Sequence, residues 1–349
     1  MSFNPNSVGI SNGNIFGFPV NENEANQIII PVPWDVTASF NKGASSGPEA
    51  ILKASLQLDF SHLKLSEAHR TKVFLSKIST QWLEINNKLS VESVFYNEFL
   101  ESGGDLRKSK KFSDFVELVN KSQIALKENL YERSKHLLEK GVIVSVLGGD
   151  HSVPLGLLMA INDSYSSFGI LQIDAHSDLR KSYQNFDQSH ASVFYNVIKK
   201  CKNLKKLIQV GVRDFSPDEY VFSKENKKIE TYYNVLLKEQ RFSGKTWSEQ
   251  VKEIISTLPV NVYISFDIDG LCPYLCPNTG TPVPGGLEFD EAIYLIFQLV
   301  DSGRKIIGFD LSEVSPSSTS QWDANVGARV LWNLVCAVEK SRIENSSNC

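Results

Sequence analysis

The sequence predicts an α/β protein of three layers, with a central, mainly parallel sheet covered by helices on both faces. Apolar, β-rich runs alternate with helix-like stretches along the 349 residues. The apolar runs are nearly continuous and do not alternate with polar residues, which is typical of strands buried on both faces of a parallel sheet. The alternation of such strands with helices indicates that helices cover both faces.

Six segments predict the strands of this sheet: Ile28–Val32, Val142–Leu147, Gly169–Ile173, Leu207–Val210, Val260–Phe266 and Ile306–Leu311. Helix-like stretches lie between them, at Pro48–Leu58, Phe112–Lys140, Pro154–Asn162, Phe289–Asp301 and Asn325–Glu339. The segment 61–111 mixes helix-like and polar stretches. We expect a single domain over 1–349, with a helical insertion around 61–111.

Composition excludes several classes of function. The chain has 36 basic and 40 acidic residues, a net charge of −4. It therefore offers no broad cationic surface for nucleic acid or for an acidic membrane. No apolar run approaches the roughly 20 residues that span a bilayer. The start of the chain has no apolar segment after a basic one, so it does not resemble a secretory signal, and we expect a cytoplasmic protein.

The cysteines do not predict a disulfide framework or a zinc site. There are five, an odd number, scattered over a long chain. Cys272 and Cys276 are four residues apart, but no second pair of cysteines accompanies them.

Three short clusters of acidic residues and histidine follow predicted strands. His151 comes after the strand that ends at Leu147, Asp174 directly follows Ile173, and Asp267 directly follows Phe266. The carboxyl ends of parallel strands meet at the edge of the sheet where ligands bind. We therefore expect the clusters to meet in one crevice, with Glu313 beside them, just past the last predicted strand.

The spacing within each cluster supports a metal site. Residues two apart in extended chain point the same way, so Asp174, His176 and Asp178 can converge, as can Asp267 and Asp269. Buried carboxylates and imidazoles in such numbers need cations to neutralise them. Oxygen and nitrogen ligands without thiolate suit ions such as manganese, and an excess of carboxylates suits two ions with bridging ligands. The sequence therefore predicts two-metal hydrolysis.

Further motifs extend the pattern over nearly the whole chain. They are Gly43–Ile51, Thr279–Leu287 and Glu313–Pro316. Together with the three clusters, and in this order, they resemble the ureohydrolases, the arginase and agmatinase family of binuclear manganese amidinohydrolases. The resemblance is closest to the agmatinase branch, and it implies an arginase-like fold.

The resemblance also implies a role for each site residue. One ion would be held by His151, Asp174, Asp178 and Asp267, and the other by Asp174, His176, Asp267 and Asp269. Two Mn²⁺ ions per chain are expected, with another divalent ion such as Ni²⁺ as the alternative. His190 would be the catalytic histidine, Asp178 would orient the attacking water, and Glu313 would bind the guanidinium group. Relatives commonly form trimers or hexamers, so we expect a homo-oligomer.

The substrate stays open at this point. An agmatine-like compound, hydrolysed to urea and an amine, is the leading hypothesis, and Asp187 is a candidate for binding its terminal amine. Arg180 and Lys181 would favour an acid-tailed substrate, as in a guanidino-acid hydrolase or a formimidoylglutamase. A catalytically inactive metal-binding member of the family is a further alternative. A phosphoesterase is disfavoured because the carboxylate of Glu313 would repel phosphate.

One position departs from the family pattern. The third cluster usually continues to an aspartate before a proline, and here Cys272 precedes Pro273. This aspartate is not one of the six expected ligands. Its loss removes a carboxylate that could orient them, and such partners commonly change metal affinity or activity about 10- to 100-fold.

Overall fold

The computed structural model describes residues 3–346 and contains one sheet of eight strands, all parallel. The strand order across the sheet is β2-β1-β3-β8-β7-β4-β5-β6. The strands are β1 Gln27–Pro31, β2 Val73–Leu75, β3 Ile143–Leu147, β4 Phe168–Ile173, β5 Leu204–Val210, β6 Ile229–Tyr232, β7 Asn261–Asp267 and β8 Lys305–Ser312.

Ten α-helices connect and cover these strands within the described residues. They are α1 Gly47–Ser55, α2 Thr80–Glu101, α3 Lys110–Glu139, α4 Leu155–Ser164, α5 Val193–Lys200, α6 Pro217–Glu225, α7 Asn234–Phe242, α8 Trp247–Ser256, α9 Phe289–Asp301 and α10 Trp322–Ser346. Polar residues begin several of them. The side chain of Ser79 caps α2, and Ser109 caps α3.

The sheet separates two hydrophobic cores, because successive side chains of a strand point to opposite faces. Ile170 of β4 packs with α2, α3, α4 and α5 on one face, whereas its neighbour Leu171 packs with α1, α8, α9 and α10 on the other. Val146 and Leu147 of β3 divide in the same way. The three-layer α/β fold predicted from the sequence is confirmed.

Two strands were not predicted. They are β2 and β6, with three and four residues, and they form the two edges of the sheet. Edge strands this short leave too little apolar pattern to recognise. The segment 61–111, where a helical insertion was expected, contains β2 as well as the long helix α2.

The centre of the sheet places the site. The four strands followed by the predicted ligand motifs and by Glu313 are adjacent, in the order β3-β8-β7-β4. Because all of them are parallel, their carboxyl ends lie along one edge. The loops after them therefore meet where ligands bind in an open α/β sheet.

Two further predictions concern the described part of the chain. None of its helices is long and apolar enough to cross a membrane. Its four cysteines are free thiols, and Cys349 lies outside the described residues.

Candidate metal centre and active site

Three carboxylates surround one nitrogen of a buried histidine. The Nδ1 atom of His151 lies 3.0 Å from Asp174, 3.0 Å from Asp178 and 3.2 Å from Asp267. None of these contacts has hydrogen-bond geometry, so this buried nitrogen has no hydrogen-bond partner. A ring nitrogen aimed at carboxylate oxygens without bonding to them fits a metal ligand.

The opposite side of the same ring is held in place. His151 Nε2 lies 2.9 Å from Ser265 Oγ, which donates a 2.7 Å hydrogen bond to Asp310. Asp310 itself lies 3.4 Å from Nε2. A partner at one ring nitrogen fixes the tautomer and leaves the other lone pair for a metal. Ser265 and Asp310 therefore present Nδ1 to the cluster.

A second cluster adjoins the first. His176 Nδ1 lies 3.0 Å from Asp269 and 3.6 Å from Asp174. Asp174 belongs to both clusters, and the ligand atoms within each lie within 4.8 Å of one another. The structure thus brings all six predicted ligands together at the carboxyl ends of β3, β4 and β7.

The electrostatics of the clusters also fit bound cations. Burial, together with the charge of Asp174, raises the pKa of Asp178 to about 7. Burial and the charges of Asp269 and Asp174 raise the pKa of Asp267 well above its usual value. Carboxyl groups so close together resist joint ionisation unless positive charge lies between them. The donor set, with only oxygen and nitrogen, suits divalent manganese or nickel.

Two site residues have strained backbones. Asp178 has φ 53° and Glu313 has φ 64°, both in the left-handed region. Non-glycine residues in this region cluster at functional sites, where the surrounding structure holds them. The carbonyl of Asp178 accepts hydrogen bonds from the amides of Phe194 and Tyr195 in α5, and the amide of Leu179 donates to the buried Glu219.

Two glycines allow the ligand loops to approach closely. A Cβ on Gly149, two residues before His151, would lie 1.9 Å from the carbonyl oxygen of Trp34. A Cβ on Gly270, next to Asp269, would lie 2.7 Å from the amide nitrogen of Asp174. Both obstacles are backbone atoms, so only glycine fits at these positions.

A pocket of about 330 Å³ opens beside the clusters, and His176 and Asp178 contribute to its lining. Two segments form part of its rim: the first rim loop, residues 33–43, and the second rim loop, residues 179–189. The first contributes Ser39 and Phe40, and the second contributes Arg180 and Tyr183.

His190 lines the same pocket directly after the second rim loop. Its amide donates to Thr37 Oγ1, and its Nε2 lies 3.4 Å from Ser39 Oγ. Its Nδ1 has no hydrogen-bond partner. Burial, followed by the nearby His176 and Lys42, lowers the pKa of His190 to about 3. The ring is therefore neutral at pH 7, with one nitrogen available as a hydrogen-bond acceptor.

Glu313 is not among the residues that line this pocket, but it lies next to Gly280, the residue before the lining Thr281. Glu313 is buried, and its Oε1 accepts a 2.8 Å hydrogen bond from the amide of His151. Its Oε2 faces Gly280, where a Cβ would lie 3.1 Å away. Burial and the charge of Asp150 raise the pKa of Glu313 well above its usual value. A cation beside this carboxyl group would relieve that cost.

The mouth of the pocket combines rings and charges. Phe40, Tyr183 and Phe215 line it, together with Arg180, Asp214 and Glu219. The Arg180 guanidinium lies 4.8 Å from the ring centre of Tyr183 and 3.6 Å from Glu219. The carboxylate of Asp214 is exposed and makes no ion pair with a described residue. Neither Asp187 nor Lys181, both proposed from the sequence, lines this pocket.

Sequence reasoning missed several supporting residues. Arg213 donates to the carbonyls of Asp269 (2.7 Å), Leu271 (3.2 Å) and Val283 (2.9 Å), which ties the third cluster to the 279–287 loop. It follows the carboxyl end of β5, so the rule that identified the ligands would have identified it too. Asp310 could also have been recognised from the sequence, because it is a single carboxylate within an apolar strand.

Comparison with known proteins identifies the class. Residues 25–337 match the model of the Arginase family. The chain belongs to the arginase family, and the prediction of an amidinohydrolase from its motifs is confirmed. The family is binuclear and metal-dependent, which agrees with the two ligand clusters.

The similar relatives are ureohydrolases. The N(1)-aminopropylagmatine ureohydrolase of Thermus thermophilus is 30% identical over 294 residues, 84% of each chain. An agmatinase of Neisseria meningitidis is 30% identical over 313 residues, 87% of this chain and 86% of the other. The crystal structure of agmatine ureohydrolase from Thermoplasma volcanium shares the fold, with a TM-score of 0.71 at 22% identity over 96% of this chain and 97% of the other.

Proposed function

We propose that this protein hydrolyses a small guanidino compound with a cationic tail, agmatine in the first place, to urea and an amine. The observation that carries the proposal is the pair of carboxylate and histidine clusters at the floor of a pocket that also holds His190. The relatives named agmatinase and aminopropylagmatine ureohydrolase support the same substrate class.

The reaction needs a strong nucleophile, because resonance and positive charge protect the guanidinium carbon. Two divalent ions in the clusters would supply a water of lowered pKa. Asp178 lines the pocket, and its carboxylate would accept a hydrogen bond from the attacking water and orient it.

Glu313 would bind the guanidinium group. Paired, charge-assisted hydrogen bonds to a carboxylate hold the planar group in one orientation, with its carbon towards the water. Gly280 keeps the space beside Oε2 free of a side chain, and Thr281 continues from there into the pocket lining.

His190 would carry the proton. Attack forms a bond from the water oxygen to the guanidinium carbon, and the bond from that carbon to the tail nitrogen then breaks. The neutral ring of His190 would accept one proton of the water and pass it to the leaving nitrogen. The second proton of the same water goes to the released amine as the carbonyl of urea forms, so the products are urea and the protonated amine, and atoms and charge balance.

The charges at the pocket mouth favour an amine tail over an acid tail. Asp214 is a carboxylate without a partner among the described residues, whereas Arg180, the cation in the lining, already contacts Tyr183 and Glu219. We therefore assign the recognition of a terminal ammonium group to Asp214 in preference to Asp187. The aromatic lining adds cation–π attraction for such a group.

A guanidino-acid hydrolase is the second candidate, because Arg180 does line the pocket. Such an enzyme would bind the acid tail with Arg180 released from Glu219. Members of the family are typically oligomeric, and we propose a trimer or hexamer for this chain.

The test is an assay of urea and formamide after loading with manganese or nickel. The panel contains agmatine, N(1)-aminopropylagmatine, arginine, guanidinobutyrate, guanidinopropionate, guanidine and formiminoglutamate. We expect urea from the amine-tailed compounds. His190→Ala should lose about 100-fold or more in turnover and keep its metal. A metal-loaded protein that is inert towards the whole panel would contradict the proposal, and release of formamide would indicate a formimidoylglutamase.

A further inference from the structure

We propose that Tyr96 and Asn97, consecutive residues of α2, are positioning residues that hold both rim loops around His190. This inference rests on the proposed function, which gives His190 its chemical role. The helix lies within the segment expected from the sequence to be an insertion, yet these two side chains connect it to both walls of the pocket.

Asn97 holds the first rim loop. Its side chain is buried, and Nδ2 lies 3.4 Å from the carbonyl oxygen of Ala38 and 3.2 Å from that of Ser39. The hydroxyl of Ser39 in turn lies 3.4 Å from His190 Nε2. One residue therefore separates the helix from the proposed catalytic ring.

Tyr96 holds the second rim loop. Its hydroxyl donates a 2.9 Å hydrogen bond to the carbonyl of Gln184 and accepts one of 2.9 Å from Asn185 Nδ2. Gln184 and Asn185 have φ of 50° and 63°, so two consecutive non-glycine residues lie in the left-handed region. Such a turn persists only when surrounding contacts hold it. Asn120 of α3 adds a bond to the carbonyl of Asn185.

The same face of α2 runs along the first rim loop. Asn86, Ser90, Ser93 and Asn97 are spaced four, three and four residues apart, so they share one side of the helix. Two of them bind Asp35: Asn86 accepts a 2.8 Å hydrogen bond from its amide, and Ser90 donates a 2.9 Å hydrogen bond to the Asp35 carboxylate. Ser93 donates a 2.7 Å hydrogen bond to the carbonyl of Val36. A helix that only covered the core would bury apolar residues here.

The hydroxyl of Tyr96 can be removed without disturbing the core. Its ring is fully buried and packs against Phe112, Phe115 and Phe186, with ring centres 5.5, 5.6 and 5.6 Å away. Phenylalanine keeps these contacts. Both hydrogen-bond partners of the hydroxyl belong to the second rim loop, so Tyr96→Phe changes the support of that loop alone.

The matched control is Tyr131→Phe on α3. The Tyr131 hydroxyl donates a 2.7 Å hydrogen bond to Asp163 and contacts neither rim loop. Both variants are compared with the metal-loaded wild type in four measurements: kcat and KM with agmatine, metal content, melting temperature, and the rate at which diethylpyrocarbonate modifies His190. The exposed His136 of α3 is the internal reference for the modification.

We expect Tyr96→Phe to lower kcat about tenfold, the effect of one lost hydrogen bond at a site that needs accurate positioning. The modification rate of His190 relative to His136 should change at least about threefold. Metal content and melting temperature should stay close to those of Tyr131→Phe. Asn97→Ala, which releases the other loop, should change kcat and His190 reactivity in the same direction.

Two results would overturn the inference. In one, Tyr96→Phe matches Tyr131→Phe in both kcat and His190 reactivity. In the other, kcat falls only in proportion to lost metal or lost folded protein, which indicates a structural role. If the wild type releases no urea from any guanidino compound, the proposed function fails, but His190 reactivity in the two variants still decides whether Tyr96 positions that ring.

Discussion

Asp214 is the residue through which this pocket would distinguish one tail from another. It lies at the mouth, four residues beyond the end of β5, and has no ion pair with a described residue. Asp187, which is also exposed, lies outside the pocket lining. The two carboxylates therefore form a natural comparison between a residue placed by the structure and one suggested by the sequence.

Asp214→Asn should raise the KM for agmatine about threefold to fivefold and leave kcat nearly unchanged, because it removes one exposed charge contact far from the reacting carbon. With butylguanidine, whose alkyl tail carries no charge, KM should not change. The control is Asp187→Asn, which should match the wild type. Steady-state urea assays check this, and equal effects of the two variants would contradict the role of Asp214.

At the scale of single residues, the sequence predicted side chains whose chemistry is unusual at a strand end. The six expected ligands, His190 and Glu313 all follow predicted strands or lie in recognisable motifs. Ser265 and Asp310 hold the His151 ring, but both lie inside strands, and Ser265 is uncharged. A structural role is the ordinary expectation for residues in such positions. Tyr96 and Asn97 are remote in sequence from every motif, so only the three-dimensional contacts connect them with His190.

At the scale of elements, the loop after β7 shows how closely the ligand loops are packed. Gly270 follows Asp269, and a Cβ there would lie 2.7 Å from the amide nitrogen of Asp174 and 2.9 Å from the carbonyl carbon of Ile173. These are backbone atoms of β4 and of the loop that directly follows it. They cannot rotate away as a side chain can.

Gly270→Ala should therefore push the loops after β4 and β7 apart. We expect a loss of about 1–3 kcal/mol in the free energy of unfolding, the usual cost of overpacking, together with weaker metal binding. Urea denaturation and metal titration measure the two effects. Gly103→Ala serves as the comparison, because nothing lies within 4 Å of its Cβ and only its positive φ of 79° opposes the change. Tight metal binding by Gly270→Ala would contradict this packing argument.

The elements that the sequence predicted well are the central strands, because burial on both faces leaves a long apolar run. β2 and β6, at the edges, have too few residues for such a pattern. The helix α2 was ambiguous for a different reason. Its buried side includes Asn86, Ser93 and Asn97, which contact the first rim loop, so polar residues interrupt the apolar stripe by which a helix is recognised.

At the scale of the whole molecule, the clusters make stability depend on pH and on metal. In the metal-free protein, burial raises the folded-state pKa of Asp178 from 3.8 to about 7, and it raises those of Asp267 and Glu313 as well. A folded state that holds protons more tightly than the unfolded one loses stability as pH rises. Burial alone would lower the pKa of His151 and His176, but their carboxylate neighbours raise it. The stability that these protonated rings contribute is therefore also lost as pH rises.

We therefore expect the melting temperature of the metal-free protein to fall as pH rises from 5 towards 8. Two lowered pKa values act in the opposite direction. That of Asp174 acts only below 3.8, outside this range, and that of His190, lowered from 6.5 to about 3, acts only below pH 6.5 and offsets part of the fall. Added Mn²⁺ should oppose the fall, since cations favour ionised carboxylates and neutral imidazoles. Differential scanning fluorimetry with chelator or with manganese measures both curves. The increase due to metal should be largest at pH 8, and equal increases at pH 5 and pH 8 would contradict the account.

The fold class was predictable at this scale because alternating strands and helices admit few arrangements. The sequence also predicted that the ligand motifs meet, because the carboxyl ends of parallel strands lie along one edge whatever the order of the strands. The walls of the pocket were not predictable in the same way. They depend on how two rim loops are held by a helix whose position relative to the sheet has no signature in the sequence.

Anomalous diffraction from manganese-loaded crystals tests the central claim most directly. The account predicts two peaks per chain, about 3.5–4 Å apart, with Asp174 in contact with both, His151 Nδ1 beside one and His176 Nδ1 beside the other. A single peak, or two peaks away from these three side chains, would contradict it.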